Sequence, residues 1–265
     1  MQHRVGDKRI ISLVQRWLKA GVMEDNNFTE SEAGVPQGGS ISVLLSNLYL
    51  HYVLDLWFEK IVKPKLKGES YLIRYIDDFI ICFQYREDAL QFPKSLEIRL
   101  AKFSLTLEPS KTRMVEFGRF ATKQSKRWKE KLQTVYFLGF THFCTRNQKG
   151  NFMVGRKTEK TRLSRIIRKV CDKIKVIRHW SIKDQMIIIN QILQGHYNYY
   201  GMGGNYQGLR KVYDKVKIYW RKMLSKRSWK GKITWKLFEK NHEIFPLLQP
   251  KVKISYRNMQ TYAML

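Results

Sequence analysis

The chain has 265 residues, 43% of them hydrophobic and 13% aromatic, enough apolar mass to bury one sizeable core and a second, smaller one. Lys and Arg total 50 against 22 Asp and Glu, a formal net charge of +28. This composition excludes a disordered chain and points to a polyanionic partner, most simply nucleic acid, because the basic residues run through the whole sequence and do not gather in one tail or amphipathic helix.

Cys82, Cys144 and Cys171 are odd in number and far apart, and the histidines do not fall at zinc spacings, so neither a disulfide framework nor a zinc site is expected. No signal peptide follows Met1 and no apolar run reaches membrane-spanning length. The expectation is a soluble protein without a membrane partner, cytoplasmic in a bacterium or organellar, and not secreted.

Taken in order, Lys8 to Ala20 carries Ile10, Ile11, Leu13, Val14, Trp17 and Leu18 at helical spacing and closes at Gly21. Met23 to Ala33 is polar and acidic, a loop or short hairpin. Next comes Gly34-Val35-Pro36-Gln37-Gly38-Gly39-Ser40, followed by apolar positions from Ile41 to Ile61. Glycines, a proline and a serine cap describe a backbone that approaches a ligand closely and then starts a long helix, whose N-terminus favours phosphate. Gln37 either hydrogen-bonds a base or sugar or braces the loop.

Tyr71 to Phe83 reads Tyr-Leu-Ile-Arg-Tyr-Ile-Asp-Asp-Phe-Ile-Ile-Cys-Phe. Two β-branched and aromatic runs flank Asp77-Asp78, the pattern of two strands meeting at a tight turn that carries two carboxylates. The apolar flanks suggest a pair set into a core. Adjacent carboxylates repel there unless a cation compensates them, and Asp oxygens suit Mg²⁺ held jointly with substrate phosphates.

Glu87 to Phe103 is a helix despite Pro93. Leu105-Thr106-Leu107 reads as a strand, Pro109-Ser110-Lys111-Thr112 as a turn, and Met114 to Phe117 as another strand. Arg119 to Lys131 is a basic loop. Val135 to Cys144 reads as one strand, paired with Asn151 to Val154. From Thr158 helical periodicity takes over, so the domain boundary is drawn between residues 155 and 156.

Beyond it, one helix sets Arg162, Arg165, Arg168, Lys169 and Lys173 around an apolar stripe from Leu163 to Ile177. A second runs from Asp184 to Tyr200. A third, Leu209 to Met223, carries Arg210, Lys211 and Arg221 among aromatics. Basic side chains interleaved with rings suit a nucleic-acid groove, where charges track phosphates and rings stack on bases.

Together these motifs resemble a group II intron-encoded reverse transcriptase, a maturase-type protein. Gly34-Val35-Pro36-Gln37-Gly38 with Leu44-Leu45-Ser46-Asn47-Leu48-Tyr49-Leu50 resembles the family's nucleotide- and template-contacting motif, and Arg74-Tyr75-Ile76-Asp77-Asp78-Phe79 its catalytic hairpin. Leu107-Glu108-Pro109-Ser110-Lys111-Thr112 and Phe137-Leu138-Gly139-Phe140 resemble the motifs that follow. Gly195 to Asn205, with Trp229 to Phe238, resembles the thumb or maturase domain. The likeness runs over essentially the whole chain, and its specificity lies in the order of the motifs.

The resemblance implies an α+β fold: a partial polymerase palm over residues 1–155, an antiparallel sheet with helices on one face, then an α-helical thumb/maturase RNA-binding domain over 156–265. It implies an RNA-directed DNA polymerase using two Mg²⁺ ions, with Asp77 and Asp78 as metal ligands and Lys111 near the phosphates. Pro36, Gln37, Gly38 and Tyr75 would line the nucleotide and template pocket. Deoxynucleoside triphosphates, an RNA template with DNA primer, and intron RNA are the implied partners.

Two positions depart from the family: Ile76 stands where Ala is usual and Val43 where Pro is usual, and neither change removes a ligand. The family also places a further catalytic Asp upstream of the region matching Arg4 to Gly21. Asp7, Asp25, Asp55 and Asp88 are the candidate substitutes. The chain is therefore expected to be the C-terminal portion of such an enzyme, with the missing part either encoded as a separate N-terminal fragment, lost, or cut away from this sequence. The competing expectation is a non-catalytic remnant that binds intron RNA to support splicing.

Overall fold

A computed structural model describes residues 6–19, 22–24, 27–29, 41–121, 132–228 and 231–263. The loop 34–40 and most of the basic stretch 119–131 lie outside them. Two compact units divide at Met114 and Val115.

In the first unit, α1 spans Lys8–Lys19 and a short ladder pairs β1, Val22–Glu24, with β2, Asn27–Thr29. Helix α2, Ser42–Leu50, does not stop at its last α-turn. It continues through π-helical turns at His51–Asp55 and Phe58–Val62 into a 3₁₀ turn at Lys63–Lys65, where Pro64 ends it. Strands β3, Ser70–Tyr75, and β4, Asp78–Phe83, form an antiparallel hairpin, and α3, Arg86–Ala101, returns across it with Pro93 on its exposed side. The core here is Val53, Leu54, Phe58, Phe92, Leu96 and Leu100, with Leu72, Phe79, Ile81 and Phe83 of the hairpin packed against it.

Leu105-Thr106-Leu107 and Met114 to Phe117 are not strands. Leu105 and Leu107 press on this core and the Leu105 amide donates to the Leu100 carbonyl at 3.0 Å, but among the described residues no neighbouring strand pairs with them. The sheet of this unit is accordingly narrower than the expected palm sheet.

In the second unit β5, Val135–Phe137, β6, Phe140–Arg146, and β7, Phe152–Thr158, form a three-stranded antiparallel sheet. Val135 to Cys144 is thus not one strand: Leu138 at φ 50° and Gly139 at φ 75° make a two-residue reversal. Positive φ at both positions is the geometry whose twist suits a tight hairpin. The helices follow: α4, Lys160–Val176; α5, Ile182–Tyr200; α6, Tyr206–Ser225; α7, Trp235–Ile244; and α8, Tyr256–Ala263. Their core holds Val170, Ile174, Ile189, Leu193, Tyr197, Leu209, Val216, Trp220 and Phe238.

Polar groups inside this core are bonded into it. Trp220 Nε1 donates to Gln185 Oε1 at 2.9 Å, while Gln185 Nε2 donates to the carbonyls of Arg178 and Trp180. Arg227 donates to the same two carbonyls. Buried Asn205 accepts from the Thr158 amide at 2.7 Å and donates to Thr158 Oγ1 and the Tyr200 carbonyl, tying β7 to the α5–α6 corner. The sheet clusters with the helices, so the compact units part ahead of the strand-to-helix change on which the boundary at 155/156 is drawn.

Candidate active site

The β3–β4 register pairs Tyr71 with Cys82, Ile73 with Ile80 and Tyr75 with Asp78 on one face; Leu72 with Ile81 and Arg74 with Phe79 make the other. The second face is packed on the core. Tyr71, Ile73 and Tyr75 are more than half exposed, and Asp77 and Asp78 are exposed at the turn. The carboxylate pair is therefore not set into a core as its apolar flanks suggested. The hairpin alternates, and the core of this unit covers one of its faces.

The turn has an unusual backbone. Ile76 adopts φ 59°, and a β-branched residue in the left-handed region is a steric outlier. Beside it, the Arg74 side chain makes several hydrogen bonds. Its Nε and Nη2 donate to both oxygens of Asp55 at 2.8 and 2.7 Å, and its Nη1 donates to Asn47 Oδ1 and to the Ile76 carbonyl, each at 2.7 Å. The Arg74 side chain is 11% exposed. Burial pushes the Asp55 carboxyl upward, but the hydrogen bonds and charges of Arg74 and His51 outweigh that effect and hold it below the usual carboxylate range. The Arg74 guanidinium is engaged by Asp55, Asn47 and the Ile76 carbonyl.

The candidate substitute carboxylates are committed elsewhere. Asp7 Oδ1 accepts from the Arg9 amide in the first turn of α1, Asp55 is held by Arg74, and Asp88 accepts from the amides of Lys67 and Gly68. Asp25 lies outside the described residues. Among the described residues no cluster of three or more His, Cys, Asp or Glu side chains forms. What the turn does offer is two adjacent, solvent-facing hard oxygen ligands. That donor set fits a Mg²⁺ ion whose remaining positions are filled by phosphate oxygens and water.

Pro36, Gln37 and Gly38 lie outside the described residues; Tyr75 stands exposed beside Asp78. Lys111 is exposed in a turn closed by its own amide and that of Thr112 donating to the Glu108 carbonyl. Ser110 donates to the Glu108 carboxylate through its hydroxyl at 2.7 Å and its amide, which lowers that carboxyl from its ordinary value.

In the second unit Arg165, Arg168, Lys169 and Lys173 stand exposed on α4, and Arg162 faces Glu159 across 4.0 Å. On α6, Lys211 is exposed and Arg210 is bound by Asp214 at 3.0 Å. Arg221 behaves differently: its Nη1 donates to the Ile233 carbonyl and its guanidinium lies 4.3 Å from the Trp235 ring centre, bracing the segment before α7. The Leu138–Gly139 reversal is held from α5, where Tyr199 Oη donates to the Leu138 carbonyl at 3.0 Å and Phe140 stacks on the Tyr199 ring.

Neither Arg74 with its partners nor the tyrosine latch was assigned from the sequence. The available signal for the former was an arginine at an inward register position of an apolar strand.

A carboxylate hairpin in a mixed helix-and-strand unit, on a chain of formal charge +28, is the combination that handling of a phosphate backbone calls for. More specifically, the model of the reverse transcriptase (RNA-dependent DNA polymerase) family matches residues 2–142, more than half of the sequence, and the chain belongs to that family. The chain is 40% identical over 57 residues to the group II intron-encoded protein LtrA of Lactococcus lactis subsp. cremoris, a stretch covering 20% of this chain and 10% of that protein. It is 34% identical over 61 residues to an uncharacterized 91 kDa protein in the cob intron of Schizosaccharomyces pombe (strain 972 / ATCC 24843), covering 23% and 7%. It is 32% identical over 71 residues to protein YkfC of Escherichia coli (strain K12), covering 27% and 19%. The resemblance to group II intron-encoded reverse transcriptases is thereby met in the name of LtrA, and the chain spans less than a fifth of the length of each of these relatives. No helix of the described residues is long and apolar enough to cross a membrane.

Proposed function

We propose that this chain carries the catalytic hairpin and the nucleic-acid-holding helices of an RNA-directed DNA polymerase of the group II intron type. The observation that carries this reading is the exposed Asp77–Asp78 turn lying within the stretch that matches the family model. Asp77 and Asp78 present carboxylate oxygens to a divalent cation, with Tyr75 beside Asp78 on the same face of the hairpin. Held by Asp77 and Asp78, Mg²⁺ would supply the positive charge that lowers the pKa of the primer 3′-hydroxyl and offsets charge on the departing pyrophosphate. Pro36, Gln37 and Gly38 line the incoming nucleotide, and Lys111 stands toward phosphate from its turn.

In the helical unit, Arg162, Arg165, Arg168, Lys169, Lys173, Arg210 and Lys211 hold template-primer duplex and intron RNA through phosphates and shape. Arg221 contributes by fixing the α6–α7 connection and not by direct contact. A two-metal reaction requires ligands that bracket both ions, so a further carboxylate accompanies the pair.

The test is primer extension on an RNA template with Mg²⁺, using the chain alone and the chain joined to the coding sequence that precedes Met1, each with and without Asp77→Ala. Extension that disappears with Asp77→Ala supports the reading. One observation favours a second reading: Asp7, Asp55 and Asp88 are engaged by their own neighbours. On that reading the chain is a non-catalytic intron RNA-binding protein that supports splicing. It predicts salt-sensitive RNA binding unchanged by Asp77→Ala and no extension with either form.

A further inference from the structure

The strained corner at Ile76 raises a physical question. A left-handed backbone at a β-branched residue persists only where surrounding contacts over-determine it. Arg74 supplies those contacts, and it does so with a planar fork that no ammonium group reproduces. One edge of the guanidinium grips both oxygens of Asp55, which closes the π-helical stretch His51–Asp55. Nη1 reaches Asn47 on α2 and the carbonyl of Ile76 itself, one residue before Asp77.

We propose that Arg74 is a positioning residue, a clamp that fixes the Ile76 corner to α2 and its π-helical continuation and so sets the direction in which Asp77 points. The clamp joins two stretches that the sequence separates: the helix following the Gly34–Ser40 loop and the carboxylate hairpin. The π-turn is part of the device. A π-helical turn shifts the side chains beyond it relative to a continuous α-helix, and here that shift delivers Asp55 to Arg74. His51 flanks the same carboxylate, its Nδ1 3.4 Å from Asp55 Oδ2, and steadies it from the preceding turn.

That the aimed group is a metal ligand rests on the function proposed above; that the corner is clamped does not. The test therefore reads both, on the full chain. Arg74→Lys keeps the charge and loses the fork, Asp55→Asn keeps the shape and loses the charge, and Asn47→Ala removes a single contact and serves if either of the others fails to fold. Amide hydrogen exchange is followed at Ile76 to Phe79 and, as reference, within α3. Mn²⁺ is added alone as a paramagnetic probe of the turn, with Asp77→Ala as the blank.

Arg74→Lys is expected to speed exchange at the turn by about tenfold while leaving α3 within about twofold. It is also expected to weaken Mn²⁺ broadening at Asp77 and Asp78 by about fivefold. Unchanged exchange at the turn overturns the clamp, and so does an equal acceleration in α3, which would mark Arg74 as a general stabiliser only. Local acceleration in a protein whose Mn²⁺ broadening is indifferent to Asp77→Ala leaves the clamp standing and removes the metal reading instead.

Discussion

At the scale of single residues, Ile76 concentrates a cost in one backbone torsion. A hairpin loop with positive φ at its first central residue is one that glycine fills without penalty, and Ile fills it against its own Cβ branches. The predicted consequence is that Ile76→Gly stabilises the first unit by up to about 1 kcal/mol, whereas Ile76→Val, which keeps the branch, does not. Urea unfolding of the two variants measures this. The price, if the clamp acts as argued, is a looser Asp77. Residues of this kind were only partly legible. Arg74 was visible as a charged residue in an apolar strand, but its partner Asp55 lies 19 positions away on a helix whose α-to-π change leaves no periodic mark. The exposure of Asp77 and Asp78 was misjudged because β-branched residues favour strands whichever face they occupy. Tyr71, Ile73 and Tyr75 are strand formers on the uncovered face.

At the scale of elements, connections decide where strands begin and end. Asn205 is the clearest case: it is buried, and its amide satisfies the Thr158 backbone, the Thr158 hydroxyl and the Tyr200 carbonyl together. Replacing it with Ala strands those groups without water, and Asn205→Ala is predicted to destabilise the second unit by about 2–3 kcal/mol in chemical denaturation. The long helices were readable from their apolar stripes, and α3 was readable in spite of Pro93. Short segments were not. Leu105 and Leu107 have strand composition, yet a strand is defined by its neighbour's edge, which local sequence does not encode. The Leu138–Gly139 reversal was hidden inside a stretch of strand-forming residues, and its support comes from Tyr199 on α5, far along the chain.

At the scale of the whole molecule, buried histidines couple the fold to pH. His196 is 6% exposed, its Nε2 has no hydrogen-bond partner among the described residues, and burial lowers its pKa from 6.5 to about 4. Between those values the unfolded chain binds more protons than the folded one. Stability is therefore fully present above about pH 6.5 and is lost as pH falls toward and below 4. The depression corresponds to a swing on the order of 3 kcal/mol from this group. His142 and His242 are lowered in the same direction, with burial as the largest cause, so the difference between the wild type and His196→Leu isolates the first contribution. The variant should show a flatter stability curve between pH 4 and 6.5, and parallel curves would contradict the assignment.

The charge of +28 acts at this scale too, since each phosphate contact releases a counterion. RNA affinity should fall steeply with salt, and removing Arg165 and Lys169 together should lower the slope of log affinity against log salt by about 1–2. The family's identity was legible because it resides in the order of motifs along the chain. The compact units part at Met114 and Val115 because the β5–β7 sheet clusters with the helices that follow it.

The claim on which the rest depends is that Asp77 and Asp78 serve Mg²⁺-dependent nucleotidyl transfer on an RNA template. Primer extension with matched wild-type and Asp77→Ala proteins, each joined to the coding sequence that precedes Met1 and both first shown to bind the template-primer equally, tests it most directly. The account predicts extension by the wild type and a loss of at least about 100-fold in the variant. Equal RNA binding with extension that is absent from both proteins, or unchanged by the substitution, would contradict it.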